Sequence, residues 1–461
     1  MHPRITTILR TVSLALLLTG FFTTVQAQTR AYVANSNLHN VSVIDTATNT
    51  VLTTIAVGTR PSVVLASPDG SRVYVLNATP NFSVSVINTA TNAVTATIPT
   101  PGGNFFMAMS ADGSRLYVSD QLFPSSGVSV VDTASNSVVG SIALPAGGRP
   151  RGLSVSPDGT RLYIADLGSP NVYIADTATN TVVDSIAIPS GAGTTSLILS
   201  RDGSRLFVGN GNAEGELGVF DTATKALVAS LSGGIGIIAQ FSITPDGGRV
   251  YGTGIVDGGP YLTIDTATLN QIVHAPVDGA WVYAGFSPDS SLAYITDYLH
   301  NLVAVVDNTT DALITTIPVG GGLRANPWGI AVTALPPTTP FAQFSVSKLE
   351  LKKNGFQEAG GFTVAAGGSA LDPVTQIVTF TIGSYTQTIP AGSFSENGHS
   401  HWKFQGDIND VKLNIQIDPH ANSTTQFDFK IDGKGLDLSG QRRPINAGLK
   451  IGNRTGSVLV P

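Results

Sequence analysis

The hexapeptide Ser-Pro-Asp-Gly-Ser-Arg at residues 67–72 constrains the fold of this chain more than any other feature, because near copies of it return along the sequence. They stand at 110–115, 156–161, 200–205 and 244–249, with a decayed copy at 287–292. Proline presets the backbone, aspartate hydrogen-bonds its own main chain and glycine takes a positive φ, so each copy predicts a tight turn. A second turn, Asp-Thr-Ala-Thr, occupies 45–48, 176–179, 221–224 and 265–268, with variants beginning at Asn88, Asp132 and Asp307. Both series repeat every 42–46 residues. Within one copy, residues 30–72, four runs rich in Val, Ile, Tyr and Ala lie at 31–35, 41–45, 51–57 and 61–67. Short, β-branched and bounded by turn residues, they read as strands. Four strands per repeat at this period predict the blades of a β-propeller.

Copies of the fourth run lie at 61–67, 104–110, 151–156, 194–200, 238–244, 281–287 and 327–333, which predicts seven blades. The chain enters at a second-type strand, and the repeats end at a fourth-type one. Residues 327–333 are therefore expected to complete the blade begun by 31–57, closing the ring with both ends and leaving few strand edges unpaired. The motifs Tyr-Val-Ala-Asn (32–35), Tyr-Val-Leu-Asn (74–77) and Tyr-Val-Ser-Asp (117–120), each followed by Val-Ser-Val-(Ile/Val)-(Asp/Asn), resemble the YVTN-type β-propeller repeat over about residues 30–334. That resemblance implies an extracytoplasmic propeller, from a family often labelled lactonase-like and mostly without a defined activity. The sixth repeat departs from it, with Gly254 where the others carry Asn or Asp.

Residues 1–27 have the form of an export signal: Arg4 and Arg10, an apolar run at 12–22, and Val25-Gln26-Ala27 before the expected cut at Gln28. A periplasmic or extracellular protein is expected. The chain has no cysteine, so strand pairing and burial alone must hold it together there. No later run is long and apolar enough to span a bilayer as a helix. Residues 28–335 form the propeller in this reading, and Leu-Pro-Pro-Thr-Thr-Pro at 335–340 supplies a stiff linker over 336–340. Composition changes across it. Lysine occurs once before the linker, at Lys225, and eight times after it. Residues 341–461 read as a small β-sandwich-like domain, with strands at 344–351, 362–366, 376–382, 385–389, 411–417 and 427–431.

The turns on one propeller face are monotonous, whereas the loops on the other vary freely at 35–40, 77–82, 120–127, 166–170 and 210–216. Variable loops on a rigid frame are where recognition tends to sit. Second strands end in Asn35, Asn77, Asp120, Asp166, Asn210 and Asp297, oxygen donors of the kind a hard cation takes. Their recurrence is also what a turn requirement produces, and no metal or cofactor is expected from them. Catalytic motifs are scarce. Gluconolactonase propellers use a metal-bound glutamate, and this propeller offers only Glu214 and Glu216, both at one loop. His274 falls in an outer strand, and no haem, phosphate-loop or nucleophile-elbow motif occurs. In the second domain His399 and His401, with Asp418 and His420, form a weak metal candidate. An acidic propeller with singly placed arginines does not suit nucleic acid.

One sector of the variable face gathers a mixture suited to a ligand. Leu38-His39-Asn40 and Leu299-His300-Asn301 are the same tripeptide, expected at one loop position in neighbouring blades. Arg60, Tyr298, Arg324, Asn326 and Trp328 lie close by in sequence or by the closure scheme. Two histidines, two arginines and two aromatics fit a protein, peptide or sugar-like ligand. A secreted or periplasmic binding or scaffold protein is the reading these residues favour; the alternative is a lactonase-type hydrolase acting at the channel mouth.

Overall fold

The computed structural model describes residues 28–460, apart from 79–80, 122–125, 146, 212–215, 233–237, 255–259, 275–278, 323, 337–338, 341–342, 353–354, 364–372, 374–377, 383–384, 390–392, 397–400, 409–410, 420–425, 436–444 and 452–453. The export signal expected at 1–27 lies outside the described residues. Nearly every element is a strand; the only helical pieces described are two three-residue 3-10 turns, Ser36–Leu38 and Gly320–Gly322.

Seven four-stranded antiparallel sheets are present. Their innermost strands are Pro61–Ala66, Asn104–Met109, Pro150–Val155, Thr194–Leu199, Ile238–Ile243, Trp281–Phe286 and Pro327–Ala334. Each packs on the next, and Pro327–Ala334 packs on both Trp281–Phe286 and Pro61–Ala66, so the series forms a ring of the β-propeller type. In one sheet Pro327–Ala334 pairs antiparallel with Thr29–Asn35, which continues to Asn40–Asp45 and Thr50–Ala56. The two ends of the repeat region thus share a sheet.

Middle strands carry the core. In Thr29–Asn35 and Arg72–Asn77 five of the residues are buried, because such strands are covered by a neighbouring sheet on both faces. Outermost strands are the reverse: Val51, Leu52, Val139, Val183 and Ile314 are exposed on the outer rim.

The repeated turns are alike because they do the same work in each sheet. Asp69 Oδ1 accepts from Ser67 Oγ at 2.5 Å and from the Ser71 N–H at 3.0 Å. The same bonds hold Asp112 and Asp202, and they draw both carboxyls down to about 2. The threonine of the second turn ties the two turns together. Thr89, Thr133, Thr177, Thr222 and Thr266 each donate through Oγ1 to the carbonyl of the turn glycine at 2.6–2.7 Å. Turn arginines reach further: Arg72 donates to the Thr133 carbonyl and Arg205 to the Thr266 carbonyl, both in the next sheet.

Gly70 shows how tightly the ring closes. Its φ is +68°, and a Cβ there would collide with the Ala334 carbonyl oxygen at the end of the closing strand. Gly159 has the same turn and a φ of +74°, with open space around it. Gly159→Ala is expected to cost about 1 kcal/mol from backbone strain alone. Gly70→Ala should cost at least about 2 kcal/mol more, since backbone must move. Denaturant unfolding of the two variants checks the difference, which equal midpoints would abolish.

The C-terminal residues build a six-stranded and a five-stranded sheet. Their core includes Phe356, Phe380, Trp402, Ile415, Ile431 and Leu449. Strands Gly355–Thr363, Trp402–Ile408 and Arg454–Val460 go beyond the sequence expectation, which placed one strand at 362–366 and none at the other two.

Candidate functional site

The six polar ends of the second strands are buried, with 0–5% of their surface exposed. Four of them show how they serve the loops and strands around them. Asp166 Oδ1 accepts the N–H groups of Arg149 (2.6 Å) and Gly168 (2.8 Å). Asp297 Oδ1 accepts those of Ala280, Leu299 and His300 at 3.0–3.3 Å. Asn35 and Asn77 donate to hydroxyls on the next strand, Ser42 (2.8 Å) and Ser85 (2.9 Å). These are anchors for the loops of the variable face, positioned where each strand pair opens.

The sector around the two tripeptides is partly assembled. Asn35 pairs with Asn40, and Asp297 with Leu302, so both loops are four residues long. Aligning them makes His39 equivalent to Asn301, not to His300. The tripeptides are therefore offset by one residue, which corrects the expectation of a shared position. Backbone geometry explains the offset: His39 and Asn301 both take the left-handed conformation, at φ 55° and 58°. Each also ties down the following inter-sheet loop. His39 Nδ1 accepts the Arg60 N–H at 3.1 Å, while Asn301 Oδ1 accepts those of Ala325 (2.7 Å) and Asn326 (3.0 Å). His39 is thus a loop clamp, with Arg60 as its backbone partner.

His300 points elsewhere. Its Nδ1 lies 2.7 Å from Asp297 Oδ2, and its side chain is 45% exposed while Asp297 is buried. Tyr298 and Trp328 meet, with ring centroids 6.1 Å apart. Asn326 also takes a positive φ of 47°, and its carbonyl accepts the Ser36 N–H at 3.1 Å. Arg324 is exposed on the same loop. The structure therefore joins His39 to Arg60 and Tyr298 to Trp328, with Asn326 bridging the loops between them.

Charge is distributed unevenly between the two faces. Of the eleven arginines in residues 28–335, seven lie by the repeated turns: Arg30, Arg72, Arg115, Arg161, Arg201, Arg205 and Arg249. All seven side chains hydrogen-bond to carbonyls or to polar side chains. The other four, Arg60, Arg149, Arg151 and Arg324, lie on the variable face. None of these four guanidinium groups meets a hydrogen-bond acceptor among the described residues.

Arg151 is the most enclosed of the four. It occupies the second position of its innermost strand, where other sheets place Ser62, Phe105, Thr195, Val282 and Trp328. Its guanidinium stacks over the Phe105 ring at 4.6 Å, with Nε buried and unpartnered. Burial, and then the Arg149 charge, pull it below the ordinary arginine value. From across the ring comes Tyr283, buried and raised by that burial, close enough to interact with the Arg151 charge. The Trp328 side chain neighbours the Tyr283 phenol. Below them a channel of about 670 Å³ runs along the innermost strands to Pro68, Pro157, Arg201 and Pro245 at the turn face. Sequence reasoning missed Arg149 and Arg151; for Arg151 the signal was a charged side chain at a repeat position otherwise filled by neutral ones.

The remaining sequence candidates do not converge. Glu214, His399 and His420 lie outside the described residues. Glu216 opens the strand Glu216–Asp221. His274 sits on the outer strand Gln271–His274, stacked on Tyr261 at 4.5 Å and bonded to Thr263 Oγ1 at 2.9 Å. His401 Nδ1 pairs with Asp418 Oδ1 at 2.7 Å. No three metal-binding side chains gather among the described residues.

No family model matches the chain, and no curated protein does. Solved structures do. The periplasmic gluconolactonase of Pseudomonas aeruginosa is 18% identical, with a TM-score of 0.55 over 67% of this chain and 100% of that one. A functionally unknown protein from Desulfotomaculum acetoxidans is 16% identical, with a TM-score of 0.53 over 66% and 99%. Kuenenia stuttgartiensis hydrazine synthase is 22% identical, with a TM-score of 0.50 over 56% and 86%. Identities this low speak for fold alone. Taken with the closed ring of four-stranded sheets, they make this chain an all-β protein sharing the fold of β-propellers, lactonase-like ones among them.

Proposed function

We propose that this is an exported binding protein whose variable-loop face recognises an acidic protein, peptide or sugar-like ligand. The seven sheets are the blades of a seven-bladed propeller with a split closing blade, spanning 28–335 after removal of residues 1–27. Residues 341–461, beyond the linker at 336–340, are a separate β-sandwich-like domain that docks a partner or spaces the propeller from a surface. Export to the periplasm or the medium rests on the form of residues 1–27, and a mature N-terminus at Gln28 is the outcome expected from sequencing.

The observation that carries the reading is the contrast between the faces. Arginines by the repeated turns are spent on internal bonds, whereas Arg60, Arg149, Arg151 and Arg324 have no acceptor among the described residues. An unpaired guanidinium is well suited to a ligand carboxylate or phosphate. His300, Tyr298 and Trp328 add polar and flat apolar surface beside Arg324. His39 and Asn326 hold the loops that present these groups, with Arg60 at the edge.

Residues 28–461 carry 31 acidic and 23 basic side chains, so a carboxylate resin should repel them overall. Retention on such a resin at low salt is nevertheless expected, through the variable face. Retention should disappear in the Arg60→Gln/Arg324→Gln double variant and persist in Arg115→Gln. Passage of the unaltered protein straight through, or equal loss in Arg115→Gln, overturns the reading.

The second reading, a lactonase-type hydrolase acting at the channel mouth, is favoured by fold likeness to the gluconolactonase of Pseudomonas aeruginosa. Against it, the side chains lining the described channel include no carboxylate and no imidazole to serve as general base. Hydrolysis of glucono-δ-lactone above the buffer rate would put this reading first.

A further inference from the structure

We infer that Arg151, stacked on Phe105 and facing Tyr283 across the channel mouth, is the carboxylate-binding centre for a small organic acid with a flat apolar body. The inference rests on the reading that the variable face recognises anions, and adds the ligand's chemical class and the residue that holds it.

Geometry argues for a ligand rather than a structural role. A partly buried guanidinium is ordinarily held by a carboxylate or by several carbonyls, because desolvating it alone is costly. Here the Nε is buried and none of the guanidinium has an acceptor among the described residues. Phe105 covers the group from one side, at 4.6 Å, while remaining 40% exposed. A planar guanidinium whose Nε is enclosed keeps its terminal N–H groups for a carboxylate, in the two-bond geometry that lysine does not offer. Arg149, exposed on the loop just before the strand, adds a second positive charge. Tyr283 and Trp328 supply a flat wall opposite, extended by Tyr298. One cation among aromatic faces is the lining expected of a small-molecule site with a polar head and an apolar body.

Repeat logic supports the same conclusion. The second position of the innermost strand is neutral in every other sheet, and the fold forms in those sheets without a charge there. The charge at Arg151 thus departs from what the architecture itself requires.

The test is a calorimetric titration of residues 28–461 with benzoate, with benzamide as its neutral counterpart. N-acetylphenylalanine and its amide form a second pair, because the last residue of a peptide carries the same carboxylate. Saturable binding of benzoate, with benzamide at least tenfold weaker, is the expected result (roughly the worth of a charge-assisted bond). Arg151→Gln should weaken benzoate by about tenfold or more, and Arg151→Lys should recover only part. The melting temperature of Arg151→Gln should hold or rise, since an unpaired cation leaves a partly buried site. Tighter binding of N-acetylphenylalanine than of benzoate would assign the carboxylate to a peptide end and overturn the organic acid. Equal binding of benzoate and benzamide, no saturable binding of either acid, or a lowered melting temperature with unchanged binding would overturn the inference.

The two levels fail separately. Loss of resin retention in Arg60→Gln/Arg324→Gln with benzoate binding indifferent to Arg151 removes only this inference. Benzoate binding lost in Arg151→Gln while retention ignores Arg60 and Arg324 keeps Arg151 and removes the broader sector.

Discussion

A truncated protein ending at Gly321 is expected to lose cooperative folding of the propeller, not to melt a few degrees lower. It would lack Pro327–Ala334, the strand that pairs with Thr29–Asn35 and packs against the sheets on either side. Ile330 and Ala331 are themselves buried, and they sit in the clusters that hold Ala31, Val33, Tyr32 and Val63. Each large aliphatic or aromatic group returned to water costs about 1.5–3 kcal/mol. Several at once rival the whole net stability of a typical domain, about 5–15 kcal/mol. The hydrogen-bonding edge of Thr29–Asn35 would also be left open. A protein ending at Leu335 keeps the strand and should fold. Circular dichroism melts of the two truncations decide the matter; a sharp transition for the shorter one, at the temperature of the longer, would refute closure by the termini.

The repeat was legible because its bonds are local. Asp69 binds Ser67 and Ser71, and Thr89 binds Gly70 within one sheet, so each motif carries its partners in nearby sequence. Arg72 and Ala334 act across sheets, but through the same recurring turns. The channel mouth was not legible in this way. Arg151 and Tyr283 are over a hundred residues apart in sequence, and the meaning of Arg151 lies in partners it lacks, which a sequence does not display. The offset between His39 and His300 was hidden for a related reason: identical letters suggested a common position, while the left-handed backbone at His39 and Asn301 sets the true one. In the C-terminal sheets, Gly360 and Gly361 masked the strand Gly355–Thr363 from a reading based on β-branched runs. Trp402 and Phe404 do alternate with exposed Lys403 and Gln405, so that strand was readable from period two alone.

Glu358→Leu is expected to raise the stability of the C-terminal sheets at pH 8 by several kcal/mol and to flatten their pH dependence. Glu358 lies on Gly355–Thr363 between Leu349 and Ile431 on the adjoining strands, with no surface exposed. Neither carboxyl oxygen has a hydrogen-bond partner among the described residues. Burial pushes the group up to about 8, against about 4.3 in an unfolded chain. Between those two values the native state keeps a proton that the unfolded state has released. Rising pH therefore favours unfolding, starting near the unfolded value and levelling off above about 8. The slope is about 1.4 kcal/mol per pH unit, which over this window makes roughly 5 kcal/mol as an upper figure, since water entry and relaxation reduce it. Leucine removes the proton and the unpaired oxygens together, in a core already built from Phe356, Ile415 and Ile431. At pH 5 the gain should shrink, because the buried acid is neutral there and costs only its missing hydrogen bonds. Calorimetric scans of both proteins from pH 5 to pH 8 measure the difference directly, with all other titrating groups in common. A difference that stays constant across that range, or a variant less stable at pH 8, would show that Glu358 finds a partner in the folded protein.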